Sequence, residues 1–277
     1  MFNLTKNIVV ALLLLLWGVA HAQGYPLWFY NQSALSCSNT VVGYAAPSFL
    51  ADSAASYARQ NGYENFARFA STDISGNETY WNSEIGMIWL QSTVAESFDS
   101  TRVATAARTF TPVDTFVVEK MIGVLLAPGQ CQLSQSFRAL QYPHEISKPL
   151  WTVQAPSDAA NYYAVGRSPT YYYEASSWQE AEQKARLALA RQVYTKIETL
   201  QKISYASQEI TREEVAVRLH DVEVVSRWRD LKDRFFYVLL RMRKVNGMIT
   251  ESLAEPKRAV SQQDSILSAG QYEGTGR

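Results

Sequence analysis

The side chains that most often carry out catalysis or bind metals are sparse in this sequence. After the first 22 residues there are two histidines, His144 and His220, far apart in the chain and outside any H-x-x-x-H or H-E-x-x-H spacing. A lone histidine is more often structural than a ligand or a base. Glycine patterns for nucleotide phosphates and the G-x-S-x-G elbow of serine hydrolases are missing as well. The sequence therefore predicts no catalytic residue, no metal site and no cofactor.

Four acidic residues surround an aromatic segment in the first half of the chain: Glu78, Glu84, Glu96 and Asp99. Paired carboxylates can hydrolyse a glycosidic bond, but only at a defined separation that a sequence does not set. We interpret them as a solvated face. Aromatic residues make up 12% of the chain, with 16 Tyr and 7 Trp. A cell-wall carbohydrate-binding protein or hydrolase that uses this aromatic-rich half is therefore the alternative function.

The first 22 residues have the features of an export signal. Lys6 precedes an apolar run, Ile8–Val19, which is shorter than the roughly 20 residues of a membrane span. Ala20–Ala22 then provides the small residues of a cleavage site before Gln23. We expect a periplasmic or secreted mature chain without a membrane span; a retained N-terminal anchor is the alternative. No cysteine lies at the end of the apolar run, so we expect no lipid attachment at the cleavage site.

Two cysteines, Cys37 and Cys131, follow the signal. In an oxidising compartment such a pair predicts a disulfide, and two buried free thiols are the alternative. Charge is balanced, with 26 basic and 26 acidic residues. This balance argues against a nucleic-acid partner.

Short blocks of sequence recur 123 positions later. Pro26–Trp28 recurs as Pro149–Trp151, and Val42–Gly43 recurs as Val165–Gly166. Ala67-Arg68 matches Ala190-Arg191 at the same shift. One shared offset across separated blocks predicts two copies of a small α/β unit, residues 25–145 and 146–247.

The second copy gives the clearer pattern of elements. We predict a strand at Asn161–Gly166, then a helix from the capping box Ser177–Glu180 to about Ser204, then strands at Val222–Trp228 and Phe235–Arg243. Small residues at helical spacing would let this helix lie close to a sheet; they are Ala181, Ala185 and Ala188. The predicted fold class is α+β, with each Ala-rich helix packed on a short antiparallel sheet.

The first copy repeats this order. A strand is predicted at Thr40–Tyr44, a helix at Phe49–Ala70 and one long strand at Phe116–Leu126. The pattern of Thr79–Ser97 fits either helix or strand. The charged segment Glu209–Glu214 is predicted to be a surface connection. Residues 256–277 are polar, without sustained periodicity, and we predict a disordered tail.

The second copy resembles a known family. Lys148–Trp151, Tyr163–Gly166 and the Ala-rich helix around Ala185–Gln192 are similar to the twenty-kilodalton bacterial lipoprotein family. Its relatives include flagellar assembly proteins of the outer membrane and periplasm. The resemblance covers residues 146–247 and, weakly, 25–145. It implies an envelope location and an assembly or structural role, and it carries no catalytic residues. The chain departs from the family because it lacks the lipidated cysteine.

These patterns predict a non-enzymatic envelope protein with an assembly or binding role. Its predicted partner is another envelope protein, and association with the flagellum is one candidate setting. A small ligand is left open, and a purely structural domain pair is a further alternative. Trp and Arg are common in binding hot spots. The candidate partner surface therefore consists of Trp228, Arg229, Arg241 and Arg243.

Overall fold

The computed structural model describes residues 24–83, 86–201 and 210–244. The predicted export signal and the predicted tail lie outside the described residues. Helices and antiparallel sheets are both present, so the predicted α+β class is confirmed. No helix in the three described stretches is long and apolar enough to span a bilayer.

Five helices and eleven strands make up the described chain. Helices α1 to α5 span Leu27–Tyr30, Ala51–Ala70, Ser100–Thr109, Gln135–Arg138 and Glu174–Gln201. Strands β1 to β11 span Tyr25–Pro26, Val41–Ala45, Ser71–Ser83, Gly86–Phe98, Phe110–Val118, Met121–Pro128, Leu140–Gln141, Asn161–Pro169, Ile210–His220, Glu223–Asp230 and Phe235–Arg243. Short 3₁₀ turns lie at Gln32–Ala34 and Leu150–Thr152.

The strands form three antiparallel sheets of three strands each and one short ribbon. The first sheet has the order β2-β6-β5, the second β8-β11-β10 and the third β4-β3-β9. The ribbon pairs β1 with β7. In the first and second sheets the strand that precedes the long helix pairs with the last strand, which occupies the centre. The third sheet joins strands from both halves of the chain.

Glycines allow the two long helices to approach their sheets closely. A Cβ atom at Gly43 would collide with the Ala58 carbonyl oxygen of α2. A Cβ atom at Gly166 would collide with the Ala181 carbonyl oxygen of α5. The predicted close approach of the Ala-rich helix in the second half is therefore confirmed, because Ala181 and Ala185 are fully buried.

Two predictions about the first half need correction or completion. The predicted single strand Phe116–Leu126 is wrong, because a turn at residues 119–120 divides it into β5 and β6. The undecided segment Thr79–Ser97 belongs to β3 and β4, which pair as antiparallel neighbours. The choice between helix and strand for this segment therefore depends on backbone pairing between β3 and β4, which the local sequence pattern does not show.

Two predictions about the second half are also corrected. Helix α5 begins at Glu174, so Ser177 is buried inside the helix and does not cap it. Its hydroxyl instead accepts a hydrogen bond from the backbone N–H of Tyr171, 2.8 Å away. The segment predicted to be a surface connection forms the start of β9, which pairs with β3 from Ile210 onward. The two predicted strands Val222–Trp228 and Phe235–Arg243 are confirmed as β10 and β11, which pair as an antiparallel hairpin.

An aromatic cluster joins the two halves. Tyr25 and Phe29, near the start of the described chain, stack with ring centroids 5.3 Å apart. Phe116 of the first sheet meets Phe29 at 5.1 Å, and Trp178 of α5 meets it at 5.2 Å. Trp178 also meets Phe236 of the second sheet at 4.7 Å. The N-terminal segment is therefore packed between elements of both halves.

The predicted disulfide between Cys37 and Cys131 is confirmed, with a Cα–Cα distance of 5.8 Å. It closes a loop of 94 residues, so it restricts the unfolded chain strongly.

Replacing both cysteines with alanine is expected to lower the free energy of unfolding by about 2–5 kcal/mol. Urea unfolding of the purified protein, followed by tryptophan fluorescence, measures this loss. An unchanged midpoint would show that the crosslink does not contribute to stability.

Candidate partner-binding site

The structure divides the predicted partner surface between the interior and the outside. Trp228 is 5% exposed, so its ring is not available to a partner. Arg229 points to the other side of β10, where its guanidinium pairs with Glu174 at 2.5 Å and donates to the Tyr25 hydroxyl at 3.0 Å. Both side chains bind to other parts of the chain. The four residues therefore do not form one open surface.

The other two arginines of that set are accessible. Arg241 is half-buried and forms an ion pair with Glu223 of the neighbouring strand. Arg243 is exposed and follows two positions later on the same side of β11. Of the four residues of the predicted partner surface, only Arg241 and Arg243 are therefore accessible to a partner.

Lys148 covers the buried Trp228. Its Nζ lies 5.6 Å from the Trp228 ring centroid and 5.2 Å from that of Tyr237. It also donates to Asp230 at 2.8 Å, and this hydrogen bond is the main reason why the pKa of Lys148 is raised to about 12. The residue immediately before the second Pro-Leu-Trp block therefore attaches this segment to the second sheet.

A buried ion pair of the second half also contacts the N-terminal segment. Arg227 is 1% exposed, and its guanidinium donates to Glu182 of α5 at 2.8 Å. It also donates to Gln32 at 3.0 Å and to the Phe29 carbonyl oxygen at 3.3 Å. Arg227 of the second sheet thus holds both α5 and the N-terminal segment. Sequence analysis did not single it out, because an arginine in an alternating strand indicates a wet face.

A second ion pair connects α5 to the third sheet. Arg186 is 4% exposed and donates from Nε and Nη2 to the two carboxylate oxygens of Glu96, both at 3.0 Å. Bidentate pairs of this kind combine charge with fixed geometry. Nearby, burial raises the pKa of Tyr44, and the charge of Glu182 adds to this effect. Both carboxylates are thus paired with arginines of the same chain.

The remaining polar candidates have structural partners or lie at the surface. Glu96 belongs to the ion pair just described, and Asp99 caps α3 by accepting from the Thr101 N–H at 2.9 Å. His144 and His220 are both exposed, on a loop and at the end of β9. The Glu78 side chain and Glu84 lie outside what the structure describes. Within residues 24–83, 86–201 and 210–244, no three His, Cys, Asp or Glu side chains lie close enough to hold a metal ion.

Two loops carry large apolar side chains into solvent. Apolar loop 1, residues 46–50, connects β2 to α2 and carries Phe49, which is 105% exposed, and Leu50, which is 64% exposed. Apolar loop 2, residues 170–173, connects β8 to α5 and carries Tyr172, which is 74% exposed, beside Tyr173. Phe49 and Leu50 precede Tyr172 and Tyr173 by the same 123 positions that relate the other recurring blocks.

Topology places apolar loop 1 at the same end of the first sheet as the β5–β6 turn. Ala45, the last residue of β2, pairs with Ile122, two positions after Lys120 of that turn. Lys120 Nζ in turn lies 5.0 Å from the Tyr172 ring centroid of apolar loop 2. The turn of the first sheet is therefore a common neighbour of both apolar loops.

The exposure of the large apolar side chains in these two loops was not predicted from the sequence. The signal was present, since Pro47–Leu50 and Tyr171–Tyr173 each stand immediately before a helix. Aromatic residues at such places are usually interpreted as core, because most of them are buried. Their exposure becomes visible only when the position of each helix on its sheet is known.

Comparisons with protein-family models, with curated proteins and with solved structures found no match. The resemblance to the lipoprotein family stays a prediction.

Proposed function

We propose that this chain is an exported, non-enzymatic protein of the cell envelope that binds an envelope protein through its two apolar loops. The observation that carries the proposal is the exposure of Phe49 and Tyr172, each in a loop between a strand and the long helix that follows it. A periplasmic or secreted location, with flagellar assembly as one setting, follows from the predicted export signal and the resemblance.

The proposal includes an internal duplication of one α/β unit. The first and second sheets share their strand order, each with the last strand at the centre. Gly43 lies against Ala58 and Gly62, and Gly166 lies against Ala181 and Ala185, so each glycine contacts its helix at positions that correspond under the same shift. Duplication of one unit would by itself place the two loops at corresponding positions of the two halves.

Exposed rings of this size carry a free-energy cost that binding can offset. Leaving a Phe side chain in water forgoes about 1.5–3 kcal/mol of burial free energy. Tyrosine suits an interface because its ring buries apolar area while its hydroxyl donates or accepts hydrogen bonds. Two such loops beside a common turn offer a partner two anchor points. The disulfide supports an oxidising compartment, where such bonds persist.

The test is a pull-down from detergent-solubilised envelope with tagged protein. We expect Phe49→Ser and Tyr172→Ser each to weaken capture of a specific envelope protein, and the double variant to abolish it. Leu231→Ser and Val153→Ser are matched controls, because both residues are exposed apolar side chains outside the two loops. Equal capture by the wild type and the double variant would contradict the proposal.

A second candidate is binding to cell-wall carbohydrate. It is favoured by the run of partly exposed tyrosines, Tyr171 to Tyr173, since flat amphipathic rings stack on sugars as well as on proteins. Sedimentation with insoluble peptidoglycan separates the two candidates. Pelleting that is lost in Tyr172→Ser, without capture of a protein, would favour carbohydrate as the ligand.

A further inference from the structure

The third sheet has two edges of very different composition. Strand β9, at one edge, carries Arg212, Glu213, Glu214 and Arg218. Strand β4, at the other edge, contains no Lys, Arg or Pro, and its only charged residue is Glu96. Exposed edge strands offer unpaired backbone N–H and C=O groups, and native proteins usually protect them with charges, prolines or covers. The register of β4 on β3 shifts between Trp89 and Gln91. Among the described residues, the stretch Gln91–Phe98 beyond this shift lacks such protection by composition.

The edges of the first and second sheets are protected. Strand β2 is covered by α2, because Asn61 accepts from the Tyr44 N–H at 3.0 Å and Asn65 donates to the Val42 carbonyl oxygen at 3.0 Å. Strand β5 contains Pro112 and a break in its register. Strand β8 ends in a proline and is contacted by Gln192, while β10 carries four charged residues. The stretch Gln91–Phe98 of β4 therefore differs from the other five edges of the three described sheets.

The single charge on β4 is already neutralised within the chain. Glu96 is held by both nitrogens of Arg186 on the inner side of the strand. Phe98 is held on that side too, since the Arg68 guanidinium lies 4.5 Å from its ring centroid. On the outer side, Thr93, Ala95 and Ser97 are exposed and uncharged. Contacts on the inner side therefore hold the strand in place, and its outer side is uncharged at these three positions.

We propose that β4 pairs, antiparallel, with β4 of a second copy of this chain. A two-fold axis beside β4 would join the third sheet of one copy to the third sheet of the other, giving one sheet of six strands. Such a contact is isologous, because each copy supplies the same edge. The one charge on β4, Glu96, is paired with Arg186 and does not oppose this pairing, whereas β9 carries four charged residues along its edge. The eight residues Gln91–Phe98, in one register, also give a long ladder, since typical strands have about 5–6 residues.

Two measurements on the full mature protein test this pairing. Sedimentation equilibrium is expected to show a reversible dimer. The variant Ala95→Lys/Ser97→Lys places two positive charges on the outer side of each edge, so we expect it to be monomeric. Ser75→Lys is the charge control, because Ser75 is exposed opposite Ala95 but belongs to the central strand β3. It should still form the dimer.

Crosslinking tests the geometry. Both native cysteines are in the disulfide, so a new cysteine is the only free thiol. We expect oxidised dimers from cysteine at position 93, 95 or 97, most efficient at the position nearest the two-fold axis, and none from Ser75→Cys. A wild type that stays monomeric, a dimer that survives Ala95→Lys/Ser97→Lys, or crosslinking from position 75 alone would each overturn the pairing. The Phe49→Ser/Tyr172→Ser variant should keep the dimer, so failure of the proposed function is distinguishable from failure of this inference.

Discussion

Replacing Gly166 with alanine is expected to destabilise the protein by about 3 kcal/mol or more, at the upper end of the cost of overpacking a core. The new methyl group would collide with backbone atoms of α5, at Ala181 and Ala185. A helix backbone cannot move aside as the end of a flexible side chain can. The collision therefore shifts the whole helix and separates Trp178 from the aromatic cluster. The loss is measured as the shift in free energy of urea unfolding.

Gly76→Ala is the matched control for this variant. Gly76 also lies in a strand, but the nearest atom to its added Cβ is the flexible Cδ1 of Leu187, at 3.3 Å. We expect a change within about 1 kcal/mol there, since that side chain can adjust. If Gly166→Ala lowered the free energy of unfolding no more than Gly76→Ala does, the close approach of α5 at Gly166 would not be required for stability.

Replacing Arg227 with methionine is expected to lower the free energy of unfolding by about 3–5 kcal/mol, the usual cost of breaking a buried ion pair. Glu182, 1% exposed, would keep its charge without its closest partner. The double variant Arg227→Met/Glu182→Leu removes both charges, so we expect it to be more stable than Arg227→Met alone. Thermal and urea unfolding measure both differences.

Arg241→Met provides the comparison at the surface. Its partner Glu223 is largely exposed, and exposed pairs contribute about 0–1 kcal/mol. A loss for Arg227→Met no larger than that for Arg241→Met would contradict the role given to the buried pair. A double variant less stable than the single one would show that the Glu182 charge stabilises the folded chain even without Arg227.

The sequence predicts elements well where the evidence is local. The alternating runs of β10 and β11 and the spacing of Ala181 and Ala185 indicate a hairpin and a helix that lies close to a sheet, and both are present. The cysteine pair indicates the disulfide for a chemical reason that does not depend on the fold.

Prediction from the sequence fails where distant segments decide the outcome. Strand β9 looks like a charged connection until β3, over a hundred residues earlier, pairs with it. Arg227 and Arg229 look like surface residues because their partners Glu182 and Glu174 are supplied by α5. The apolar loops look like core because exposure depends on what the rest of the chain leaves uncovered. Strand pairing and burial by segments distant in the chain cannot be predicted from a short stretch of sequence.

The most direct test of the central claim is photo-crosslinking in living cells with a photoreactive phenylalanine analogue at position 49 or at position 172. We predict that both positions capture the same envelope protein, because both apolar loops contact one partner. The analogue at Leu231, exposed in the turn of the second sheet, should not capture it. Different proteins captured from the two positions, or none from either while the protein is abundant in the envelope, would contradict the account.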